Sequence, residues 1–342
     1  MPAVPLTLWL GGVQAPVSYQ GRSGCCIGED QIVFKVPQSV PTGCAVPLTV
    51  QIAGETSNST AIAVANGSRT CTPSNPAITA SAMQALSGTA PLTIGTVALE
   101  RRVDTSSNTG YVDVGTAEFE KVTVPASLQP FMISYVDSEP AGTCVIYNSP
   151  STSSNPPFAS AAGIDAGPSL SVSGPNGTES MTVAAGLVPT EYDGTLNSVG
   201  KYFVPGEYTV SGNGGANVGS FSAAFNIPTP PNWTNQTSLS TVTLADRLTI
   251  NWGGVLGSNT ILIEGTSATD KTLTNGAGFS CATPAGAGTF TVPPAVMQAL
   301  PAGNYGTLYF KPAINPVGFS ASGLTLGYVT SNLLTAIPTT FQ

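Results

Sequence analysis

The feature that most constrains this chain is its punctuation. Apolar runs are short and are interrupted throughout by Gly, Pro and Asn, with 38 Gly and 29 Pro among 342 residues. Proline breaks helix interiors and glycine weakens them, whereas both suit the tight turns between short strands. Within the runs, VPLTVQI and TAIAVA place apolar residues at near period two, which turns one face to a core and the other to solvent. The pattern predicts an all-β fold of serial Ig-like or fibronectin-like β-sandwiches, with one or two very short helices.

Polarity comes from hydroxyls and amides more than from charge. Only 10 Lys and Arg and 18 Asp and Glu are present, 8% of the chain against a globular average of about 25%. The net charge of −8 and the scattered basic residues, adjacent only at Arg101-Arg102, give no footprint for nucleic acid or an anionic membrane surface. No apolar run reaches the roughly 20 residues of a membrane helix, so no membrane span is expected. The start, MPAVPLTLWLGGV, has neither a basic leader nor a cleavage site, so the export signal is expected to lie outside this sequence. A hydrophobic share of 41% argues against disorder over most of the length.

Composition shifts divide the chain into three expected domains. Residues 1–68 hold LTLWLGGVQAPVSYQG, QIVFKVP, CAVPLTVQIAG and STAIAVA, the strand series of a small sandwich that ends at the linker NGSRTCTPSNP. Residues 69–228 form a larger sandwich, opened by a short helix in ITASAMQALSG with Thr79 or Ser81 as cap and Gly88 as stop. Its expected strands include PLTIGTVALERR, YVDVGTAEFEKVTV, PFMISYV and GTCVIYN, followed by a Ser/Pro-rich loop at 149–163. The Gly-rich stretch 212–219 lacks the Lys-Ser/Thr and the following helix of a phosphate loop, and it reads as a hairpin turn. Residues 229–342, after PTPP, form a last Ig-like or fibronectin-like sandwich with Trp252 as a core aromatic. SAMQALSGTAPLTIG and AVMQALPAGNYGTLYF both set a short helix before a strand, but two copies make no array.

Six cysteines, Cys25, Cys26, Cys44, Cys71, Cys144 and Cys281, include no C-x-x-C pair and read as disulfide formers in an oxidising compartment. The candidate bonds are Cys71–Cys144 and Cys44 with Cys25 or Cys26, with Cys281 left open.

Residues 10–21, LGGVQAPVSYQG, and 30–65, DQIVFKVPQSVPTGCAVPLTVQIAGETSNSTAIAVA, resemble the Ig/IPT-like module of large uncharacterised secreted proteins of acidobacteria. The shared pattern is a Gly-Gly-Val strand end, an Ala-Pro-Val strand with a following Tyr, an aliphatic strand ending in Val-Pro, and a final Ser-Asn-aliphatic strand. The likeness covers residues 5–65, and the segments DAGPSLSVSGPNG, YFVPGEYTVSGNGGANVGSF and GFSCATPAGAGTFTVPPAVMQALPAG are similar to regions that follow the module. The resemblance implies export and a β-sandwich, and it carries no catalytic or ligand residues. Cys25, Cys26 and Cys44 depart from the module's pattern.

The sequence contains no histidine, which removes Ser-His-Asp and Cys-His catalysis and every His-ligated metal. Carboxylate chemistry survives. Glu118 and Glu120 alternate with Phe119 and so share a strand face about 7 Å apart, within the range of a glycosidase pair. The plainer reading is a solvated face opposite a buried Phe119, with Lys121 on an exposed edge. Asp137 with Glu139, and Glu191 with Asp193, offer oxygens of the kind calcium takes, but neither pair follows the EF-hand loop and both read as turn residues. Sequons begin at Asn58, Asn66, Asn176, Asn232 and Asn235 and are expected mostly to mark turns.

These readings lead to a non-enzymatic extracellular or cell-surface structural or adhesive protein, needing no cofactor. Its expected partners are itself or other surface proteins through β-edges, since strand addition makes little demand on sequence. A carbohydrate-binding protein is the alternative, with polysaccharide docked on a platform drawn from Tyr192, Tyr202, Tyr208 and Trp233. A carboxylate-dependent glycoside hydrolase is the third expectation.

Overall fold

The computed structural model describes residues 4–26, 28–67, 69–88, 90–125, 132–149, 160–183, 191–254 and 259–342. Strands β1 (Leu6–Leu10) and β2 (Val13–Ala15) pair through Leu10 and Val13, which leaves Gly11 and Gly12 as the turn at φ +55° and +79°. Two positive angles make a type I′ hairpin, which glycine enters without strain. Strands β3 (Val17–Arg22) and β4 (Asp30–Phe34) form a separate two-stranded ribbon. Strand β5 (Gly43–Ile52) pairs with β1 and gathers β6 (Glu55–Thr56) and β7 (Thr60–Val64) into the first sheet. Leu8, Leu10, Ala15, Val40 and Val46 form its small core.

Helix α1 (Ala80–Leu86) is capped by Thr79, whose Oγ1 accepts the Ala82 N–H at 3.2 Å. It leads into the long hairpin of β8 (Leu92–Val103) and β9 (Tyr111–Thr123). The run PFMISYV, expected as a strand, instead supplies helix α2 (Met132–Val136). Met132 and Val136 stand one turn apart and are both buried in a cluster shared with α1, an i, i+4 match that overrides strand propensity. Then come β10 (Thr143–Ser149), β11 (Ser160–Gly163), β12 (Ser169–Gly174), β13 (Gly177–Val183), β14 (Glu191–Asn197), β15 (Gly206–Gly212) and β16 (Phe221–Ile227). Of the expected loop at 149–163, residues 150–159 lie outside the described residues, and 160–163 form β11 against β9. Residues 212–219 connect β15 to β16 as an antiparallel hairpin.

The remaining elements are β17 (Asn232–Trp233), β18 (Thr241–Val242), β19 (Thr249–Gly253), β20 (Thr260–Ala268), β21 (Gly276–Pro284), β22 (Thr289–Thr291), α3 (Pro294–Met297), β23 (Gly303–Ala313), β24 (Val317–Gly318), β25 (Leu326–Leu333) and β26 (Thr335–Phe341). Helix α3 precedes β23 as α1 precedes β8, which matches the sequence echo. Trp252 is buried, and its indole N–H donates to the Ala285 carbonyl at 2.7 Å.

The fold is all-β, but its second and third segments interleave instead of following in series. Strand β10 pairs along its whole length with β21, and β25 lies parallel to β8 from Leu326 opposite Ile94 to Leu333 opposite Arg101. One large sheet therefore runs in the order β10-β21-β20-β23-β25-β8-β9-β14-β13-β12-β15-β16 across the expected boundary at 228/229. The PTPP segment is docked as well, with Pro228, Pro230 and Pro231 lining a crevice beside Ile261 and Ile314.

This interleaving corrects the disulfide assignment. The bonds are Cys44–Cys71 and Cys144–Cys281, while Cys25 and Cys26 are free thiols, so neither Cys71–Cys144 nor a bond from Cys44 to Cys25 or Cys26 is formed. Cys144 and Cys281 face each other across β10 and β21, a register that only the long-range pairing creates. By loop-closure entropy the 27-residue and 137-residue separations correspond to about 3.5 and about 5 kcal/mol of stabilisation.

Candidate functional site

Alternation along β8, β9, β14 and β25 gives the central sheet two unlike faces. One carries Val97, Leu99, Ala117, Phe119 and Val329 into the largest core, where Gly95 leaves room for the Phe119 ring: a Cβ there would lie 2.7 Å from it. Three proposed platform residues lie in the same core. Tyr192, Tyr202 and Tyr208 are 1–2% exposed, and their hydroxyls donate inward to the Gly167, Val172 and Val204 carbonyls at 2.6, 2.7 and 3.0 Å. Trp233 is also buried, stacked on Phe310 with ring centroids 5.6 Å apart. The aromatic platform is thus corrected: these rings fill cores, because a tyrosine's polar tip is accommodated wherever a buried carbonyl awaits a donor.

Asp113 anchors the same side. It is fully buried, takes both the Arg101 Nε and a terminal guanidinium nitrogen at 2.8 and 3.0 Å, and accepts the Tyr202 and Phe203 backbone N–H groups at 2.7 and 3.0 Å. Asn176 and Asn235, both in sequons, are similarly engaged by the turns they occupy. Asn176 Nδ2 donates to the Lys201 and Tyr202 carbonyls, and Asn235 Oδ1 accepts the Trp233 indole and Asn251 N–H groups.

Among the described residues the opposite face is covered at one end. Leu92, Ile94, Val122 and Leu326 pack beneath α1 and α2. Beyond them the strand registers align polar rows: Glu118 stands opposite both Thr96 and Glu191, Thr96 opposite Tyr328, Thr116 opposite Ala98 and Asp193, and Glu100 opposite Asn332. Clefts of about 460 Å³ and about 260 Å³ share Thr96 and Glu118, and the second meets a third of about 500 Å³ at Thr330. Glu100, Glu139, Glu264, Lys311, Asn315 and Asn332 line that third cleft. The three lie side by side along this face of the sheet and make up an acidic trough. Crossing from β14 to β20 spans six strands, about 24 Å at the usual strand spacing.

Its electrostatics are strongly one-sided. Glu118, Glu120, Glu191 and Asp193 line one part and Glu100, Glu139 and Glu264 the other. The lysine of the trough, Lys311, is held by Glu264 at 2.6 Å. Glu100 accepts from Arg102 Nε at 2.8 Å and from Asn332 Nδ2 at 3.0 Å. Burial raises the Glu118 carboxyl above its usual range, with Glu120 and the directly opposed Glu191 adding repulsion. Burial likewise raises Glu139, aided by the charges of Glu264 and Asp137. Asp137, at the end of α2, is pushed up to about 6 by burial although its Oδ1 accepts the Asn75 and Ser138 N–H groups at 2.7 and 3.0 Å; among the described residues its Oδ2 makes no hydrogen bond.

Several site expectations change on this geometry. Glu118 is exposed and Phe119 buried as expected, but Glu120 is itself buried at 7% exposure, so the pair is not a simple solvated face. Strand β9 is flanked by β8 and β14, so Lys121 is not on an edge strand. Glu191 and Asp193, read as turn residues, lie instead in strand β14, while Asp137 and Glu139 follow helix α2; neither pair joins a group of three ligand atoms within 4.8 Å among the described residues. Glu100, Glu264 and Lys311 were not singled out from sequence; the charges carried by the strand runs PLTIGTVALERR, NTILIEG and YGTLYFKP were the available signal. No described helix is long and apolar enough to cross a membrane. Comparison with known proteins finds no matching family model and no matching curated protein.

Proposed function

We propose that the chain is a non-catalytic extracellular adhesive or scaffold protein that docks a positively charged, extended partner in the acidic trough. The observation that carries this reading is the open sheet face itself, where seven carboxylates from β8, β9, β14, β20 and the segment after α2 line one groove. Such a groove raises the local concentration of a cationic ligand and steers its approach. Its length matches roughly seven residues of extended peptide at about 3.4 Å each. Two disulfides fit an oxidising, extracellular setting, and the Ig/IPT-like resemblance of residues 5–65 points the same way. Self-association through strand edges has less room at one end, because Ser59 and Asn58 already bond to β10 backbone groups. The far side of β16 pairs with no strand among the described residues and stays available.

The test is a binding isotherm with decalysine at low and high salt. The proposal expects saturable binding that weakens as salt rises and falls in the Glu118→Gln/Glu191→Gln variant. Equal binding by that variant would refute it.

A carboxylate hydrolase is the second reading, favoured by one contrast. Glu139 holds its proton unusually well, while Glu264 in the same cleft is paired with Lys311, the divided environments a general acid and a charged partner require. Turnover of an oligosaccharide that Glu139→Gln abolishes would establish it in place of the docking role.

A further inference from the structure

The β3–β4 ribbon ends in a tip loop whose described residues belong to no core, and there the two remaining cysteines meet. The base of the loop is closed by the Ser23 N–H donating to the Glu29 carbonyl at 2.8 Å. Cys25 and Cys26 are exposed, free, and 2.6 Å apart at sulfur, with Ser23 Oγ 3.0 Å from the Cys25 sulfur. The loop curls into a concavity of about 590 Å³ lined by both thiols, Ser23, Arg22, Glu29 and Asp30. The two sulfurs and a Glu29 carboxylate oxygen all lie within 4.8 Å of one another.

We infer that Cys25, Cys26 and Glu29 form a binding site for a thiophilic divalent cation of the zinc and cadmium class. Zinc–sulfur bonds of about 2.3 Å and zinc–oxygen bonds of about 2.1 Å in a tetrahedron set the ligand atoms about 3.6–3.8 Å apart. The carboxylate oxygen lies within 4.8 Å of both sulfurs, and the sulfurs must separate by about 1 Å; both are rotamer adjustments in an exposed loop. Two thiolates and a carboxylate leave the fourth position to solvent. Glu29 distinguishes this reading from a disulfide, which has no use for a converging carboxylate. Binding exchanges the two thiol protons for the cation and releases them to solvent, so affinity rises with pH.

The test uses the full chain with its two disulfides intact and no added reductant. A thiol reagent should count two reactive sulfurs per chain, and one equivalent of cadmium should protect both while producing sulfur-to-metal charge-transfer absorption. The Cys25→Ser/Cys26→Ser variant should lose that absorption, and Glu29→Gln should weaken the affinity by at least about tenfold while keeping both thiols. Because the loop lies outside the cores, these variants should keep the wild-type circular dichroism. If one does not fold, metal protection of the wild-type thiols decides alone. Absence of reactive thiols, through a bond between Cys25 and Cys26 or to a second chain, would overturn the site. So would cadmium binding retained without the cysteines, or an affinity unchanged in Glu29→Gln.

Discussion

The two faces of the central sheet are built from the same four strands and have opposite chemistry. On one side Phe119, Tyr192 and Leu99 are sealed, and the buried charge of Asp113 is matched by a guanidinium and two backbone donors. On the other, Glu118 faces Glu191 directly across the ladder, and Asp137, after the helix α2 that packs on this face, keeps a buried oxygen with no hydrogen bond among the described residues. Like charges opposed on neighbouring strands destabilise a sheet. The first face therefore holds the fold together and the second spends some of that stability on a surface. Alternation with period two is what lets one strand serve both.

The largest effect should come from breaking the satisfied face. Asp113→Ala strands Arg101 and the Tyr202 and Phe203 N–H groups, and urea unfolding should show a loss of about 3–5 kcal/mol. A loss below about 1 kcal/mol would mean the two faces are not energetically distinct.

Neutralising the trough should act in the other direction. Asp137, Glu118 and Glu139 bind protons more tightly in the folded chain than in the unfolded one, so they favour folding as pH falls and that contribution disappears as pH rises through their raised values. For Asp137 the window runs from 3.8 to about 6. Asp104 and Asp270, held low by hydrogen bonds from their own loops, and Asp165, held low by the Ala216 and Gly167 N–H groups, oppose this below pH 4 as their folded-state values are reached. Thermal unfolding should accordingly show a maximum near pH 4, at the low edge of that window, and decline as pH rises through it. Asp137→Asn keeps an acceptor for Asn75 and Ser138 and should add about 1–2 kcal/mol at pH 7 and nothing at pH 3.5 or below, sharpening the contrast. The smallest effect is expected for Glu118→Gln, a gain of about 0.5 kcal/mol at low salt that fades as ionic strength rises.

What was legible in the sequence was local. The Gly11-Gly12 turn, the Thr79 cap and the inward Phe119 follow from turn chemistry, capping and alternation within a few residues. Strand partners far apart in sequence were not legible. Nothing near Cys144 signals that β10 joins β21, so neither its disulfide nor the interleaving of the segments was available. The trough was hidden for the same reason, since Glu100, Glu118, Glu191 and Glu264 come from four strands that adjoin only through the parallel β8–β25 pairing and its neighbours. Tyr192, Tyr202 and Tyr208 misled because a tyrosine in a strand or a connection carries no mark of whether a carbonyl awaits its hydroxyl inside.

The central claim is that the acidic face is a docking surface, and a hydrogen-exchange footprint of decalysine on the intact chain tests it most directly. Slowed exchange should fall on Thr96–Glu100, Thr116–Glu120 and Tyr328–Asn332 and leave β16 and the β3–β4 ribbon unchanged. Protection confined to β16 or to the ribbon, with none on the trough strands, would contradict it.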